Sequence, residues 1–371
     1  MSNFDTLADL IEKKVGGNDK AGEVSQFLTT GFLPLNHALS GRYEDGGLPV
    51  GRIVEIFGPS SSGKTAIATE AMIAAQRMGG IAGFADHERS FSEKLGESRG
   101  LSLERGKWIY RKPRSFEDSI TLFKKVTRTV RESKMIPDSA PIAWVMDSLA
   151  SMIPQAILDQ EEDRRSMRDK LELAMATSCY FPELALIAEE TNTCLIVLNQ
   201  VRMKPGVMYG DPTTTPGGEA PKFYASCRLQ LGAKRLIDKK DKDVMIGSEI
   251  TARTVKNKIN RPFMKTQWQF MFRDDGTGFF DNVGALVDFL ASKGIIEKSG
   301  AYLMFGGKKY HRDPLVEMLR GIPGSVEQLN KLVVSKGLTS DFDEEAERQA
   351  KEAELGAADE LDAAADISEA D

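Results

Sequence analysis

The chain has 371 residues, 41% apolar and 28% charged, values that are ordinary for globular proteins and allow one large core plus smaller appendages. It contains no run of about 18 apolar residues, and acidic residues near its start argue against a secretory signal, so we predict a cytoplasmic protein without a membrane partner. Cys179, Cys194 and Cys227 lie in apolar surroundings without metal-ligand spacing, which predicts reduced core thiols, and the three histidines are too scattered to suggest a metal cluster.

The first segment of the chain reads as an amphipathic helix. Phe4, Leu7, Leu10 and Ile11 recur at helical spacing among polar residues. This helix has no obvious core of its own, so we expect it to pack on an adjacent copy of the chain. Head-to-tail contacts that do not close produce helical filaments. We therefore predict that residues 1–30 form an oligomerisation helix and linker.

A phosphate-binding loop follows an apolar run at residues 52–57 and opens a helical stretch at 66–78. The pattern strand, GxxxxGK[ST], helix is typical of nucleoside triphosphate sites, where backbone N–H groups and a helix N-terminus surround the phosphates. Lys64 is expected to reach the β and γ oxygens, and Thr65 to place its hydroxyl on Mg²⁺. The alternative is a glycine- and serine-rich surface turn. The residues predicted to surround the phosphates are Gly58, Pro59, Ser60, Ser61, Ser62, Gly63, Lys64 and Thr65.

Strand and helix patterns alternate through the middle of the chain, which predicts a mostly parallel α/β sheet. Pro182 is expected to start a second helix rather than lie within one. The predicted elements after the loop are a strand at 80–86, a helix at 115–134, a strand at 142–147, a helical region at 168–190 and a strand at 193–200.

Polar residues close these predicted strands, at the edge where parallel sheets bind ligands. Asp86, Glu88, Asp147, Asn199 and Gln200 should therefore face the triphosphate. Asp147 ends an apolar strand as a Walker B aspartate does and should hold Mg²⁺. Glu88 is the candidate to orient and deprotonate the attacking water. Gln200 could contact the γ-phosphate and report its presence to the next loop. Alternatively, the acids are ordinary loop residues.

Two segments have the composition of nucleic-acid contacts. In the long loop 201–218, Arg202 and Lys204 can meet phosphates, while Met203 and Tyr209 can lie against bases. The second segment, 159–170, surrounds a methionine with four bases, although a solvated charged helix would have the same composition. Its residues of interest are Arg164, Arg165, Met167, Arg168 and Lys170.

Three stretches, GGLPVGRIVEIFGPSSSGKT, NQVRMKPGVMYGDPTTTPGGEAPKFYAS and GSEITARTVKNKINRPF, resemble bacterial RecA recombinases. The resemblance runs from Thr30 to about Tyr302. It implies an α/β fold with a RecA-type P-loop ATPase core at 31–280, mostly parallel in its sheet, an N-terminal helix and a small α+β C-terminal domain at 281–336. It also implies a protein that uses ATP and Mg²⁺, forms homo-oligomeric helical filaments on single-stranded DNA and exchanges strands with homologous double-stranded DNA in recombinational repair.

The resemblance also assigns roles to individual residues. Glu88 matches the catalytic glutamate, Gln200 the γ-phosphate sensor, and Phe91 the aromatic residue that stacks on adenine. Lys256 and Lys258 match a pair that reaches the neighbouring subunit's ATP, where Phe223 would also lie. Segments 159–170 and 201–218 match the first and second DNA-binding loops. The DNA-binding residues would be Arg164, Arg165, Met167, Arg168, Arg202, Met203, Lys204, Tyr209, Gly217 and Gly218.

The chain departs from the family's pattern at three points. The first DNA loop lacks the usual glycines, and Pro205 stands where the family commonly has an aliphatic residue that intercalates between bases. The polymerisation strand has no clear counterpart, with 24–28 as the nearest candidate. These departures would suit a phage-encoded recombinase as well as a cellular one.

Charge is distributed unevenly at the C-terminal end. Residues 341–371 hold thirteen acidic and two basic residues, a net −11, so the rest of the chain carries +5 of the total −6. We predict a disordered acidic tail at 337–371, which serves solubility or competes with nucleic acid for the basic surface. Five bases in the preceding domain could gather duplex DNA or form an ordinary charged surface: Lys293, Lys298, Lys308, Lys309 and Arg312.

Other classes of protein share the triphosphate site. A RecA-like hexameric helicase would close rings, and a DNA-filament scaffold would bind ATP and DNA without strand exchange. A small-molecule kinase would need an acceptor pocket and a lid, and the predicted DNA loops argue against it.

Overall fold

A computed structural model describes residues 22–160, 169–203, 213–238 and 241–335, and six helical positions near the N-terminus: Phe4, Asp5, Leu7, Leu10, Lys13 and Lys14. The exposed fractions of Phe4, Leu7 and Leu10 are 80%, 50% and 52%. The apolar face predicted for this helix is therefore open to solvent on a single chain.

The strands are β1 (Phe27–Leu28), β2 (Leu48–Pro49), β3 (Ile53–Gly58), β4 (Ile81–Asp86), β5 (Trp108–Arg111), β6 (Ile142–Asp147), β7 (Thr193–Gln200), β8 (Arg202–Met203), β9 (Thr213–Thr214), β10 (Cys227–Ile237), β11 (Met245–Asn257), β12 (Lys265–Phe272), β13 (Gly278–Phe280), β14 (Lys298–Ser299), β15 (Tyr302–Phe305) and β16 (Lys308–Tyr310). The helices are α1 (Leu33–Ser40), α2 (Lys64–Arg77), α3 (Glu93–Arg99), α4 (Phe116–Ser133), α5 (Gln155–Leu158), α6 (Asp169–Glu190), α7 (Ala220–Tyr224), α8 (Asn282–Ser292) and α9 (Arg312–Arg320), and residues 325–335 are also helical.

Nine strands form one sheet in the order β13-β12-β11-β10-β3-β7-β6-β4-β5. From β10 to β5 all neighbours are parallel, whereas β11, β12 and β13 are added antiparallel beyond β10. The prediction of a mostly parallel α/β sheet is confirmed. Strands β3, β4 and β6 are buried along their whole length, which explains their continuous apolar sequences, since helices cover both faces of such a sheet.

The two faces of the sheet carry separate apolar cores. Because successive side chains of a strand point to opposite faces, Leu195 joins the cluster around Trp144 and Phe181, while Ile196 joins the cluster around Ile67. The cluster around Ile67 contains residues of α2, and the cluster around Trp144 and Phe181 contains residues of α4 and α6. The sheet thus holds β3 rigidly against the helix that follows the phosphate-binding loop.

Helix α6 corrects one sequence expectation, because it continues through Pro182 instead of restarting there. Pro182 is exposed, while Phe181, Leu184 and Ile187 are buried against the sheet. This packing compensates for the backbone hydrogen bond that proline removes. Within the described residues, Leu171–Glu190 is also the one helix long and apolar enough to cross a membrane by length and composition, with 28% of its most apolar window buried.

The cysteines differ in exposure, which corrects the prediction of three core thiols. Cys194 and Cys227 are buried, whereas Cys179 is exposed on α6. Burial raises the pKa of the Cys227 thiol to about 12 and shifts the pKa of Cys194 in the same direction. Cys194 faces one core because its strand is covered on both sides, but Cys179 lies on the solvent side of its helix.

We expect an alkylating reagent at neutral pH to modify Cys179 in the folded protein and to leave Cys194 and Cys227 unmodified. Only an exposed thiol forms the reactive thiolate to a useful extent. Mass spectrometry of tryptic peptides after brief iodoacetamide treatment checks this, and the same treatment in denaturant should label all three. Rapid labelling of Cys194 without denaturant would contradict the described core.

The C-terminal part combines the antiparallel sheet β14-β15-β16 with α8, α9 and the helical residues 325–335. Its apolar side chains Leu286, Leu315 and Leu329 belong to the same cluster as Ile67. Arg312 forms ion pairs with Asp288 and Asp313, so this member of the predicted basic cluster has acidic partners. Lys298, Lys308 and Lys309 are exposed, and their contact with duplex DNA stays a prediction. The predicted tail at 337–371 lies outside the described residues.

Strand β1 overlaps the segment 24–28, the nearest candidate for the polymerisation strand. Phe27 and Leu28 pair antiparallel with Pro49 and Leu48 of the same chain. The last two residues of the candidate segment 24–28 are therefore already paired within the chain.

Candidate functional site

The loop 58–65 connects β3 to α2 by a turn that requires glycine before the helix. Gly63 has φ of 87°, in the left-handed region, and a Cβ atom added there would lie 2.6 Å from Cδ1 of Ile250. Helix α2 begins at Lys64, so its first backbone N–H groups open onto the loop. The segment therefore has the strand–loop–helix form that the sequence predicts for a phosphate site.

Lys64 is held inside this loop. Its Nζ donates hydrogen bonds to the carbonyl oxygens of Gly58 (3.2 Å) and Pro59 (2.8 Å). Burial lowers the pKa of Lys64, and the negative charges of Asp147 and Glu88 oppose that shift. The side chain is thus a partly desolvated cation beside two carboxylates, ready to exchange carbonyl partners for phosphate oxygens.

Thr65 and Asp147 form the predicted Mg²⁺ pair. The Thr65 hydroxyl donates to Oδ2 of Asp147 at 3.1 Å, and Asp147 is 3% exposed at the end of β6. Burial, followed by the charge of Glu88, raises the pKa of Asp147 to about 7. Hydroxyl and carboxylate oxygens suit Mg²⁺. Among the described residues, no group of three or more His, Cys, Asp and Glu side chains could hold a metal.

A cavity of about 330 Å³ opens beside the loop. Its polar wall contains Glu88 and Asp147, and its apolar wall includes residues of β11 and β12 that the sequence analysis missed. No nucleotide-site motif marks those residues, because they reach the loop only through the antiparallel extension of the sheet. Ser248 and Ile250 lie in the third RecA-like stretch, and Phe270 and Phe272 lie outside it. The lining residues are Ser60, Ser61, Ser62, Gly63, Lys64, Thr65, Ala66, Glu88, Ser90, Leu95, Asp147, Ser248, Ile250, Phe270 and Phe272.

Glu88 lies at the centre of a polar network. Its Oε1 accepts hydrogen bonds from Gln200 Nε2 (3.0 Å), from Ser148 Oγ and from Ser151 Oγ (3.3 Å). Its backbone N–H donates to the carbonyl oxygen of Asp147 at 3.2 Å. The structure therefore brings together Glu88, Asp147 and Gln200, which come from three neighbouring strand ends.

Asp86 and Asn199 do not face the cavity, so that part of the sequence prediction is wrong. Both are fully buried. Asp86 accepts hydrogen bonds from the backbone of Phe91 (3.2 Å) and from the hydroxyl of Tyr110 (2.7 Å), and thereby shapes the turn that carries Glu88. Asn199 donates to Glu55 and to the carbonyl oxygen of Pro216. Their hydrogen-bonding capacity is used inside the fold.

Phe91 packs in an aromatic cluster rather than along the described cavity wall. Its ring centroid lies 4.4 Å from that of Phe84, 5.5 Å from Trp108 and 6.2 Å from Tyr110. Its stacking on adenine stays a prediction. Leu95, four residues further along the chain in α3, does line the cavity.

The end of the second predicted DNA loop packs on α6. Gly217 and Gly218 have φ of 93° and 70°, and added Cβ atoms would lie 2.7 Å from Leu149 and 2.9 Å from Ala174. The Thr177 hydroxyl donates to the carbonyl oxygen of Gly217 at 2.6 Å. Helix α6 begins where the first predicted loop ends, so the two predicted loops adjoin the same helix.

The predicted DNA contacts are only partly described. Arg202 is exposed and pairs with Thr214 in the two-stranded antiparallel sheet of β8 and β9, in which Met203 pairs with Thr213. The predicted contacts that lie outside the described residues are Arg164, Arg165, Met167, Arg168, Lys204 and Tyr209.

Lys256, which is half-buried, and Lys258, which is exposed, form a group with Phe223, whose exposed fraction is 66%. Lys256 Nζ donates to the carbonyl oxygens of Lys222 (2.7 Å) and Phe223 (2.6 Å). Burial, and then the charge of Lys258, lowers the pKa of Lys256. Both ammonium groups lie over the Phe223 ring, 5.8 and 5.5 Å from its centroid. Neither lysine lines the cavity of its own chain.

The family model of the RecA N-terminal domain matches residues 11–277. Protein RecA of Methylobacterium radiotolerans is 34% identical over 334 residues, covering 87% of this chain and 85% of the relative. The chain belongs to the RecA family. Protein RecA of Geobacter sulfurreducens is 35% identical over 306 residues, covering 81% of this chain and 83% of the relative.

Among solved structures, the crystal structure of the RadB recombinase matches with a TM-score of 0.45 and 20% identity, covering 67% of this chain and 98% of that chain. RecA-family membership confirms the resemblance found in the sequence and the predicted RecA-type α/β core. At the family level it makes the protein a RecA-like recombinase and ATPase of DNA recombination and repair, which binds ATP and DNA. Members of the RecA family bind ATP with Mg²⁺.

Proposed function

We propose that this protein is a DNA-dependent ATPase that forms helical filaments on single-stranded DNA in the cytoplasm and catalyses homologous pairing and strand exchange with double-stranded DNA. One observation carries the proposal: the Gln200 side chain donates to Glu88 in the cavity, and Gln200 immediately precedes the loop 201–218. A single residue therefore links the predicted water-activating carboxylate to the predicted DNA loop.

The residues around the cavity can perform different roles in ATP hydrolysis. Lys64 contributes positive charge to the β and γ oxygens, and Glu88 orients the attacking water and accepts its proton. Mg²⁺, when bound, neutralises phosphate charge, and Thr65 and Asp147 would hold it. Within the described part of the chain, the three hydrogen bonds to the Glu88 carboxylate all reach Oε1, so Oε2 is the atom that would accept a proton from water.

The Gln200 amide supports coupling between nucleotide and DNA. In the structure, this amide donates a hydrogen bond to Glu88 at 3.0 Å. A γ-phosphate would compete for the amide, free the carboxylate for water, and shift the start of the loop 201–218. Because coupling between two ligands is reciprocal, DNA bound to that loop should in turn favour the ATP-bound arrangement.

Two exposed surfaces support assembly of identical copies. The apolar residues Phe4, Leu7 and Leu10 lack cover on a single chain, and Lys256 and Lys258 lie away from their own cavity. A neighbouring subunit could receive these two cations at its triphosphate, where a charge supplied in trans stabilises the transition state. Hydrolysis would then require a correctly stacked neighbour.

We expect single-stranded DNA to accelerate ATP hydrolysis by on the order of 10³-fold, the lower end of what a cation supplied in trans contributes. Phosphate release measured with and without a long oligonucleotide, at fixed Mg²⁺, checks this. Duplex DNA of the same length is the matched control and should stimulate less.

Several outcomes would contradict the proposal. Rapid hydrolysis by monomers that do not respond to DNA would remove both the filament and the coupling. Closed rings in electron micrographs with ATP and DNA would indicate a hexameric helicase. Helical filaments that fail to form a D-loop with a homologous duplex would indicate a scaffold without strand exchange.

A further inference from the structure

A buried carboxylate bonds the side chains that contact the described ends of the second predicted DNA loop. Glu55, on the central strand β3, is fully buried and pairs with Arg228 Nε at 2.5 Å. It also accepts a hydrogen bond from Asn199 Nδ2 at 2.9 Å. Neither Glu55 nor its two partners line the cavity. Because a buried ion pair contributes little net stability compared with apolar packing, its presence in the middle of a sheet points to a role in positioning.

The partners of Glu55 hold both ends of the loop 201–218. On one side, Asn199 Oδ1 accepts from the backbone N–H of Gln200 at 2.9 Å. On the other side, Asn199 Nδ2 donates to the carbonyl oxygen of Pro216 at 3.0 Å, and Arg228 Nη2 lies 3.4 Å from the Thr215 hydroxyl. We call Glu55, Asn199, Arg228 and Thr215 the Glu55 clamp.

The clamp is also fixed to the phosphate-binding strand. Glu55 lies three residues before Gly58, and the Arg228 guanidinium lies over the Phe57 ring, 4.7 Å from its centroid. Arg228 is opposite Lys256 in the β10–β11 register. Arg228 thus belongs to β10, which lies between β3, the strand that leads to the phosphate-binding loop, and β11, the strand that carries Lys256.

We propose that the Glu55 clamp positions Gln200 and couples it to residues 215–218, so that nucleotide in the cavity sets the conformation of the DNA loop; this rests on the proposed function. A movement of Gln200 toward a γ-phosphate pulls on Asn199, whose amide bonds Glu55 and Pro216 at once. Buried polar groups must keep hydrogen-bond partners, so the movement is transmitted to the far end of the loop. Glu55 acts through other residues and is a positioning residue.

The main test is Glu55→Gln. The amide keeps the size of the side chain, but only its oxygen can accept, so it cannot serve both Asn199 and Arg228. We expect the KM for ATP without DNA to stay at the wild-type value, while the DNA concentration for half-maximal ATP hydrolysis rises about tenfold, within the usual range of coupling between sites. Hydrogen exchange with a non-hydrolysable ATP analogue should still protect 58–65 but no longer protect 213–218.

A second pair of variants tests the clamp independently, in case Glu55→Gln does not fold. Thr215→Val removes the hydroxyl at constant shape, and Thr215→Ser restores it, so the first should weaken nucleotide-induced protection of 213–218 and the second should not. Asp281→Asn is the control for loss of a buried ion pair, because Asp281 pairs with Arg320 far from the loop in sequence. Asp281→Asn should lower the thermal unfolding temperature. It should leave unchanged both the DNA concentration for half-maximal ATP hydrolysis and the nucleotide-induced protection of 213–218.

The outcomes separate the two proposals. If wild-type hydrolysis ignores DNA, the proposed function fails, and protection of 213–218 by nucleotide alone still tests the clamp. If wild-type protein responds to DNA, but folded Glu55→Gln and Thr215→Val match it in half-saturation and protection, the clamp is refuted. A matched loss of protection at 58–65 would make Glu55 a purely structural residue and would also refute it.

Discussion

Replacing Lys64 with alanine is expected to lower kcat/KM for ATP by at least about 10²-fold, the cost of removing one charge-stabilising donor from a preorganised site. Among the described residues that line the cavity, Lys64 is the only cation, whereas Glu88 and Asp147 are both acidic. Without its ammonium group, the negative wall would face the triphosphate uncompensated. Titration with a fluorescent ATP analogue and measurement of phosphate release should both register the loss, and filaments that depend on ATP should not form.

The matched control is Lys107→Ala, which removes an exposed lysine that pairs with Glu104 and does not line the cavity. It should hydrolyse ATP at the wild-type rate. Thermal unfolding of both variants without nucleotide distinguishes loss of the site from loss of the fold, because Lys64 also bonds two loop carbonyl oxygens. Normal strand exchange by folded Lys64→Ala would refute the role of the phosphate-binding loop.

The sequence predicts the parts of the site whose structure depends on residues that are consecutive in the chain. The loop 58–65 needs a glycine at a left-handed position and a helix that starts at Lys64, and both constraints are local. Likewise, the continuous apolar sequence of β6 and its closing Asp147 predict a buried strand with an acid at its edge, as the structure has it. Such features depend on the backbone within a few residues and can be recognised without the tertiary fold.

What the sequence could not provide depends on contacts between distant segments. Asp86 and Glu88 are two residues apart, yet Tyr110 and the backbone of Phe91 engage Asp86, while Glu88 reaches the cavity. No sequence pattern distinguishes the two acids. In the same way, Phe272 lines the cavity only because β12 joins the far side of the sheet.

At Pro182, too, tertiary contacts determine the secondary structure. Local propensity predicts a helix break at proline, but the buried residues on either side hold α6 in one piece. The Glu55 clamp escaped the sequence analysis for a related reason, since its four members are spread over more than 170 positions and no spacing pattern connects them.

Glu88→Gln is expected to lower kcat for ATP hydrolysis by about 10²- to 10⁴-fold while ATP binding persists. Glutamine retains an oxygen at Oε1, where Ser148, Ser151 and Gln200 donate, so the polar network can stay intact. It loses the group that accepts a proton from water. Single-turnover hydrolysis and equilibrium binding of an ATP analogue separate the two effects.

The charge removed from Glu88 should also strengthen the predicted Mg²⁺ pair. Repulsion from Glu88 is the second cause, after burial, that raises the pKa of Asp147 to about 7. In Glu88→Gln this pKa falls, Asp147 ionises at a lower pH, and a cation beside Thr65 is held at least as well as in wild type. Filaments on single-stranded DNA should therefore assemble with ATP and persist, because hydrolysis no longer releases them.

Glu88→Asp is the control for geometry, because it keeps the carboxylate but withdraws it by one methylene. Its rate should lie between those of wild type and Glu88→Gln, since a base out of reach of its water loses efficiency gradually, whereas an amide cannot accept the proton at all. Glu97→Gln, an exposed substitution on α3, should leave the rate unchanged. Wild-type turnover by Glu88→Gln would assign proton acceptance to another group, and weaker ATP binding together with slower turnover would make Glu88 a binding residue.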